Sequence, residues 1–400
     1  MPTSPSALSL YLVVLVLGTI FHYSYAWVNR PLRRSYAGRQ QPRLNTGLLF
    51  ATQTSSDGGV LGGVNDFETW FSTLEKSFCI PDIQHGTFGS LRGLRYTGGK
   101  NSDARAEQKT TILKIPRSAV LETNYADEDW DMKLAGSLWN ECLKGEKSSM
   151  YGYCSLLTRG AKVSDKSVPV STAPNTLRHW TDTQKDTLLG GSVRGRKLLQ
   201  ALEDQEKTWR EKHRRLLSDS NLQSMGWEQF KWSMEVVYSR AFRGNFGTSA
   251  WRNALSIGAP FVSLVLGYLG RKSVDSFNDM LYFGLVVLAA SPLLINLLRP
   301  DKGEVVLLPL IDSANHSEEA DSAIEFDPAN GVFALKVGSK CLVDEPNGGT
   351  QLYISYGSKQ ESELMLDYGF LPGIPCWDGE DEEARDTQRK QLADGYLNNE

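Results

Sequence analysis

Three short segments in the last quarter of the chain constrain its fold most, because each joins strand-like apolar residues to polar or aromatic ones. Residues 308–317, LPLIDSANHS, form an apolar run that ends in an Asn–His pair. Residues 353–357, YISYG, carry two tyrosines before a glycine, and residues 366–370, LDYGF, contain a second Tyr–Gly step. An Asn–His pair alone is typical of a solvated loop. The order and spacing of all three segments indicate instead that they build one site.

Further segments upstream extend this pattern, and they occur in the order LRGL at 91–94, ILKIP at 112–116, WDMKLA at 130–135, GEKSS at 145–149 and FKWSMEVVYSRAF at 230–242. The whole set resembles the SET-domain protein methyltransferases, in the plant branch that includes the Rubisco large-subunit lysine methyltransferase. The resemblance runs from about residue 67 to about residue 372, with one large insertion. It implies an α+β SET domain with short strands in small sheets, a pseudoknot-like C-terminal part and a helical insert.

The resemblance also assigns roles to single residues. Tyr356 occupies the position of the family's catalytic tyrosine. The cofactor would be S-adenosylmethionine, and the residues matched to its binding are Leu91, Arg92, Gly93, Leu94, Arg240, Asn315 and His316. Within that set, Arg240 matches the arginine that pairs with the cofactor carboxylate, a task that suits a guanidinium fork. The residues matched to substrate binding are Asp312, Tyr353 and Tyr368, although core packing is an equal alternative for the two tyrosines.

The chemistry that this resemblance implies is methyl transfer to the side chain of a protein lysine. Such an enzyme must place a neutral amine in line with a sulfonium and hold both groups. Burial and the nearby positive sulfur both favour the neutral amine, so no strong base is required. Two alternatives stay open: a protein-histidine methyltransferase, and a catalytically inactive SET fold that serves as a membrane interaction module.

Two departures from the family pattern leave the substrate open. The family usually has Ser–Asn before its final helix, whereas this chain has Gln360 and Glu361. The plant enzymes also carry a helical substrate-binding domain after the SET domain, and residues 373–400 of this chain do not resemble it. The expected partner is therefore a protein that bears a lysine, with the Rubisco large subunit, a sugar-bisphosphate aldolase and a thylakoid protein as candidates.

Composition argues against two other classes of partner. The net charge is −4, and no dense basic face with interleaved aromatic residues is visible, so nucleic-acid binding is not expected. The five cysteines lie far apart without a Cys-x-x-Cys pair, so neither a disulfide framework nor a metal site is indicated. Four histidines lack partners that suggest catalysis and are expected at the surface: His22, His85, His179 and His213.

The N-terminal region has the composition of a targeting leader. Residues 10–21 form an apolar run of signal-peptide length, and small residues near Ala26 suit cleavage there. Residues 27–56 then contain five arginines and no acidic residue, which is typical of a transit peptide. We therefore expect a signal peptide at 1–26, a plastid transit-like leader at 27–56 and a plastid location. The secretory-pathway membrane is the alternative.

A hydrophobic insertion separates the two halves of the matched region. Residues 253–270 and 280–298 are free of charged residues, and each is long enough to span a bilayer as a helix. The prediction is a membrane-associated hairpin at 246–300, and the alternative is a helical pair that packs on the protein itself. The remaining boundaries are the N-terminal part of the SET domain at 64–122, the helical insert at 123–245, the C-terminal part at 301–375 and a frayed acidic tail at 376–400.

Overall fold

The computed structural model describes residues 63–88, 91–98, 109–164, 175–218, 225–244, 303–345, 349–374 and 381–398, with single positions 167, 169, 171 and 246. The expected leader at 1–56 and almost all of the expected hairpin at 246–300 lie outside the described residues. Among the residues that are described, no helix combines the length and the apolar character that a membrane crossing requires.

The helices of the described ranges, in chain order, are α1 (Val64–Thr73), α2 (Trp130–Lys144), α3 (Tyr151–Leu157), α4 (Asp182–Lys185), α5 (Val193–Leu216), α6 (Trp227–Arg240), α7 (Glu361–Glu363) and α8 (Glu382–Asn398). Two of them, α4 and α7, continue directly into π-helical turns at Asp186–Gly190 and Leu364–Tyr368. Most of the described residues between 130 and 240 are therefore helical, as the sequence predicted for that stretch.

The strands are β1 (Phe78–Cys79), β2 (Ile83–Phe88), β3 (Leu91–Tyr96), β4 (Thr110–Pro116), β5 (Leu121–Asn124), β6 (Ala241–Gly244), β7 (Glu304–Leu307), β8 (Asn315–His316), β9 (Ala323–Asp327), β10 (Val332–Val337), β11 (Leu342–Glu345) and β12 (Gly349–Ile354). They form three small sheets with the orders β1-β4-β10-β9, β11-β12-β3-β2 and β5-β7-β6. The prediction of a mixed α+β chain with short strands in small sheets is confirmed.

Apolar spacing explains how the helices attach to these sheets. Phe67 and Phe71 lie one turn apart on α1, are both buried, and stack with ring centroids 5.7 Å apart. On α2 the same i, i+4 spacing buries Trp130, Leu134 and Leu138 against the sheets. These side chains join one continuous core with the central strands β4, β7 and β10.

A parallel strand pair brings the C-terminal motifs together. Within β8, Asn315 pairs with Tyr353 of β12 and His316 pairs with Ile354. The Ser317 backbone N–H continues the ladder by donating to the Ile354 carbonyl at 3.1 Å. Since β12 also pairs with β3 in an antiparallel register, the Asn–His pair lies beside both the segment at 91–94 and the turn that carries Tyr356.

The prediction of a frayed C-terminal tail is wrong for residues 382–398, which form the helix α8. Leu392, Ala393 and Tyr396 are buried there in a second apolar cluster, together with Leu371 and Met365. Composition misled the prediction, because most of this helix is polar and even its buried face includes Gln388 and Arg389 beside the three apolar residues. Its charged residues also pair within the fold, since Arg389 bonds to Glu382 at 3.0 Å and to Asp386 at 2.9 Å.

Candidate functional site

Two cavities open next to each other at the centre of the described structure. The first, of about 110 Å³, lies beside β2 and β3, and the second, of about 350 Å³, lies beside the end of α6 and the turn after β12. Both cavities are lined by the same five residues, which we call the shared wall: Ser239, Arg240, Asp312, Tyr356 and Tyr368. A molecule in either cavity would therefore contact these five residues.

Tyr356 is the most firmly held residue of the shared wall. Its hydroxyl donates to the Ala314 carbonyl at 2.8 Å, and its backbone N–H donates to His316 Nδ1 at 3.1 Å. Its ring stacks on that of His316 at a centroid distance of 4.9 Å and lies 5.3 Å from the ring of Tyr368. The Tyr356 side chain is therefore held in one orientation where it lines both cavities.

The Asn315 and His316 side chains orient the backbone around this tyrosine. Asn315 Nδ2 donates to the Arg92 carbonyl at 2.9 Å, which ties β8 to β3. Burial lowers the pKa of His316, which keeps its ring neutral. Since its Nδ1 accepts from the Tyr356 N–H, we assign the ring proton to Nε2. Asn315 lines the first cavity. His316 does not line it, but its ring stacks on Tyr356, which does.

Gly93 allows the close approach of β3 to these residues. A β-carbon at this position would lie 2.7 Å from Asn315 Nδ2 and 2.8 Å from Gln351 Nε2, both shorter than real contacts. A β-carbon here would therefore force the Asn315 and Gln351 side chains to shift. Residues 91–94 belong to the strand β3. Leu91, Arg92 and Gly93 line the first cavity, whereas Leu94 is wholly buried in the core and does not line it.

Arg240 and Asp312 form a buried charged pair in the shared wall. Arg240 Nη1 donates to the Asp312 carbonyl at 3.0 Å and lies 3.5 Å from the Asp312 carboxylate oxygen Oδ2. The Tyr153 hydroxyl donates to the same Oδ2 at 2.6 Å. Burial raises the pKa of Asp312, although Arg240 and Tyr153 act in the opposite direction. The other carboxylate oxygen, Oδ1, has no hydrogen-bond partner among the described residues and can accept one from a bound group.

The backbone just before Asp312 is strained. Leu310 has a φ of 71°, a value that side chains with a β-carbon rarely adopt. The 3₁₀ turn Ile311–Ser313 follows it directly and turns the Asp312 side chain inward. Such strain costs on the order of 1 to 3 kcal/mol and occurs often at functional sites. The buried Leu310 side chain holds this conformation in place.

Tyr353, which the resemblance matches to substrate binding, lies outside both cavities. Its hydroxyl donates to Glu345 Oε1 at 2.7 Å, and its side chain lines neither cavity. Tyr353 and Tyr356 are three residues apart, and an odd separation along an extended chain turns two side chains to opposite faces. Tyr368, in contrast, lies in the shared wall as a substrate contact would require.

Sequence inspection missed His85, which was expected at the surface. It lines the first cavity, and its ring packs edge-on against Phe67 at 5.4 Å. Burial, followed by the nearby Arg92 and Arg240 charges, lowers the pKa of His85 to about 4. The chain offers no local signal for this, because the packing of α1 against the β2–β3 hairpin is what buries the imidazole. His179 and His213 lie away from both cavities, and His22 is outside the described residues.

The second cavity carries charged residues that the motifs did not indicate. Arg243 lies over the rings of Tyr125 and Trp130, 4.7 Å from each centroid. Lys359 Nζ is 5.8 Å from the centroid of the Tyr368 ring and 3.7 Å from Glu363 Oε1. Glu363 and Asp367 line the same cavity, so its charged side chains are of both signs.

The described part of the chain shows no cluster of metal ligands, and its four cysteines are free and buried. No protein-family model matches the sequence, and no curated protein matches it. Among solved structures, the chain is similar to the SET domain of LSMT bound to lysine and AdoHcy, with a TM-score of 0.43 and 14% identity. The match covers 77% of this chain, and this chain spans 57% of that one. At this similarity the likeness assigns neither a family nor an activity.

Proposed function

We propose that this chain is an S-adenosylmethionine-dependent protein-lysine N-methyltransferase with a SET fold. The observation that carries the proposal is the shared wall: two neighbouring cavities have five lining residues in common, and Tyr356 is one of them. A methyl donor and a protein side chain must approach each other from different sides, and this arrangement suits that requirement. The motifs at 308–317, 353–357 and 366–370 supply residues at this junction, as the SET resemblance implies.

The residues beside the first cavity offer polar side chains and backbone groups that suit the amino-acid end of S-adenosylmethionine. The absence of a β-carbon at Gly93 lets a ligand reach the backbone of β3, and Asn315 presents a polar amide next to it. Arg240 is a suitable partner for a carboxylate. When bound, the cofactor would supply an electrophilic methyl group on a positively charged sulfur.

The shared wall would then position the attacking amine. The Tyr356 hydroxyl donates its proton to the Ala314 carbonyl, and Asp312 Oδ1 can accept a hydrogen bond from the amine. Burial favours the neutral amine that has a free electron pair. Trp130, Phe242 and Tyr368 give the second cavity apolar walls that exclude water around the side chain.

The substrate and the location are extensions of this proposal. We propose a plastid protein as substrate, either the Rubisco large subunit, a sugar-bisphosphate aldolase or a thylakoid protein, because the leader composition at 1–56 favours a plastid. The apolar segments at 253–298 would attach the enzyme to a membrane, and this part of the proposal rests on their sequence alone. Carbonate extraction of membranes that contain the full chain tests it, since an attached protein stays in the membrane pellet.

The activity is tested by incubating the full-length protein with methyl-labelled S-adenosylmethionine and a plastid protein extract. The proposal predicts labelled protein bands, and acid hydrolysis of those bands should release labelled methyl-lysine. Labelled methyl-histidine would replace lysine with histidine as the target residue. Absence of any label in extracts of several plastid types would favour an inactive SET fold that acts as an interaction module.

A further inference from the structure

His85 is a half-buried residue of the first cavity, and the proposed chemistry does not use it. In the β2–β3 hairpin it pairs with Leu94, so Arg92 is its diagonal neighbour two residues along the opposite strand. Side chains that pair directly lie on one face of a sheet, and so do residues two apart on one strand. His85 and Arg92 therefore extend from the same face of the hairpin, and both line the first cavity.

The His85 imidazole has an unmet hydrogen-bonding capacity. Its Nε2 is out of contact with solvent and has no hydrogen-bond partner among the described residues. The ring is fixed by its edge-on contact with Phe67, which is itself buried. A buried polar atom without a partner costs about 1 to 3 kcal/mol, so native proteins seldom keep one without a reason. A ligand in the cavity that hydrogen-bonds to Nε2 would remove this cost.

The charges around His85 indicate which kind of ligand fits. Arg92 on β3 and Arg240 on α6 are the charged groups whose fields act on the imidazole, and both line the same cavity. The two guanidinium groups can only donate hydrogen bonds, and the imidazole can donate from Nε2. Three donors, two of them cationic, form a site for a small anion with several acceptor oxygens. A carboxylate is such an anion.

We propose that His85, Arg92 and Arg240 together hold the α-carboxylate of S-adenosylmethionine, with His85 Nε2 as a donor to one of its oxygens. This inference rests on the proposed function, because the carboxylate belongs to the cofactor. It adds His85 and the Arg92 side chain to the one arginine that the motifs assign to this task. The carboxylate end of the cofactor would then lie between the β2–β3 hairpin and Arg240 of the shared wall.

The test compares two ligands that differ in this carboxylate alone. Calorimetric titrations would measure the binding of S-adenosylmethionine and of decarboxylated S-adenosylmethionine to the full-length protein and to His85→Phe. Loss of a hydrogen bond to a charged group should weaken S-adenosylmethionine binding about tenfold or more. The decarboxylated ligand should lose less than about threefold, because it has no group for His85 to contact.

Two further variants serve as a conservative replacement and as a control for this comparison. His85→Gln retains an N–H donor and should recover part of the affinity, which also covers the case in which the Phe variant fails to fold. His179→Phe is the matched control, because that histidine lies away from the cavity and pairs with Glu235 at 3.3 Å. It should bind both ligands as the parent protein does.

The outcomes separate this inference from the proposed function. If the parent protein binds S-adenosylmethionine and the His85 variants lose both ligands equally, His85 has a structural role or contacts another part of the cofactor, and the inference is overturned. Unchanged affinity in the variants overturns it as well. If the parent protein binds neither ligand, the proposed function itself fails, and the carboxylate site fails with it.

Discussion

The two cavities differ in how the chain builds them. The first is bordered by paired strands, where the register of β3, β8 and β12 fixes Gly93 and Asn315 relative to each other. The second is bordered by the end of α6, the strand β6, and the turns around residues 322 and 359. Its walls hold more charged side chains, including Arg243, Lys359 and Glu363.

The two cavities therefore differ in how readily their lining residues can change without loss of the fold. Strand registers cannot slip by one residue without turning every side chain over, so the first cavity is suited to an invariant cofactor. Loops and helix ends accept substitutions more easily, so the second cavity is suited to a substrate that differs between related enzymes. Four predictions test this division. One variant changes the shared wall, two change a single cavity each, and one changes a side chain that supports the shared wall from the core.

The largest effect is expected at the shared wall. Tyr356→Phe removes the hydroxyl of a residue that lines both cavities but keeps the ring that stacks on His316. We expect methyl transfer to fall by about 100-fold or more, as when a preorganised polar group at a reaction centre is removed, while S-adenosylhomocysteine binding stays within about threefold. Labelled-methyl transfer and calorimetry measure the two quantities. Tyr353→Phe, outside both cavities, is the matched control, and an equal loss in both variants would remove Tyr356 from its role.

A change confined to the first cavity should act on cofactor binding. Gly93→Ala places a β-carbon 2.7 Å from Asn315 Nδ2, so the bond from Asn315 to the Arg92 carbonyl must break or the strands must separate. We expect affinity for S-adenosylhomocysteine to fall about tenfold or more. Gly191→Ala, where a β-carbon meets open space, serves as the control. Unchanged affinity in Gly93→Ala would show that the cofactor does not depend on this close approach.

A change in a side chain that supports the shared wall should have a smaller effect. Tyr153→Phe removes the hydrogen bond to Asp312 Oδ2 without changing the shape of the core, and leaves a buried carboxylate with one donor fewer. The free energy of unfolding should fall by about 1 to 3 kcal/mol, and methyl transfer by about tenfold, because Asp312 and Arg240 lose their fixed position. Denaturant unfolding and transfer rates measure these changes. Tyr151→Phe, whose hydroxyl bonds to Asp66 at 3.2 Å, should leave transfer unchanged; a loss there would point to a general effect of destabilisation.

The smallest effect is expected in the second cavity. Arg243→Ala removes a cation that lies over Tyr125 and Trp130, and should raise KM for the protein substrate about two- to fivefold without changing cofactor affinity, since rim charges contribute modestly. Steady-state kinetics at saturating cofactor measures this. Arg215→Ala, at a surface ion pair with Asp129, is the control. Weaker cofactor binding in Arg243→Ala would contradict the division between the two cavities.

The sequence alone located much of the shared wall. Arg240, Asp312, Tyr356 and Tyr368 all lie in motif segments, and the structure brings them together. Ser239 also lines both cavities and lies next to Arg240 in the same motif, but the motif predicted no role for it. The sequence predicts the approximate positions of these residues because each follows an apolar strand or ends a helix with clear periodicity. Such positions depend mainly on local structure.

The residues that were missed or misplaced depend on contacts between distant segments. His85 is half-buried because Phe67 of α1 packs over it, and no pattern near residue 85 records that contact. The helix α8 is ordered by apolar contacts to Leu371 and Met365, which its own polar composition does not suggest. Tyr353 lies outside both cavities, whereas its neighbour Tyr356 follows the end of the strand and faces the other way. Tertiary packing decides each of these cases.

Calorimetric titration of S-adenosylhomocysteine into the full-length protein tests the central claim most directly, because both the methyltransferase activity and the division between the cavities require cofactor binding. The account predicts saturable binding of one molecule per chain, retained in Tyr356→Phe and weakened in Gly93→Ala. Absence of binding by the folded parent protein would contradict the account, since a chain that cannot hold the product of methyl transfer has no use for the shared wall.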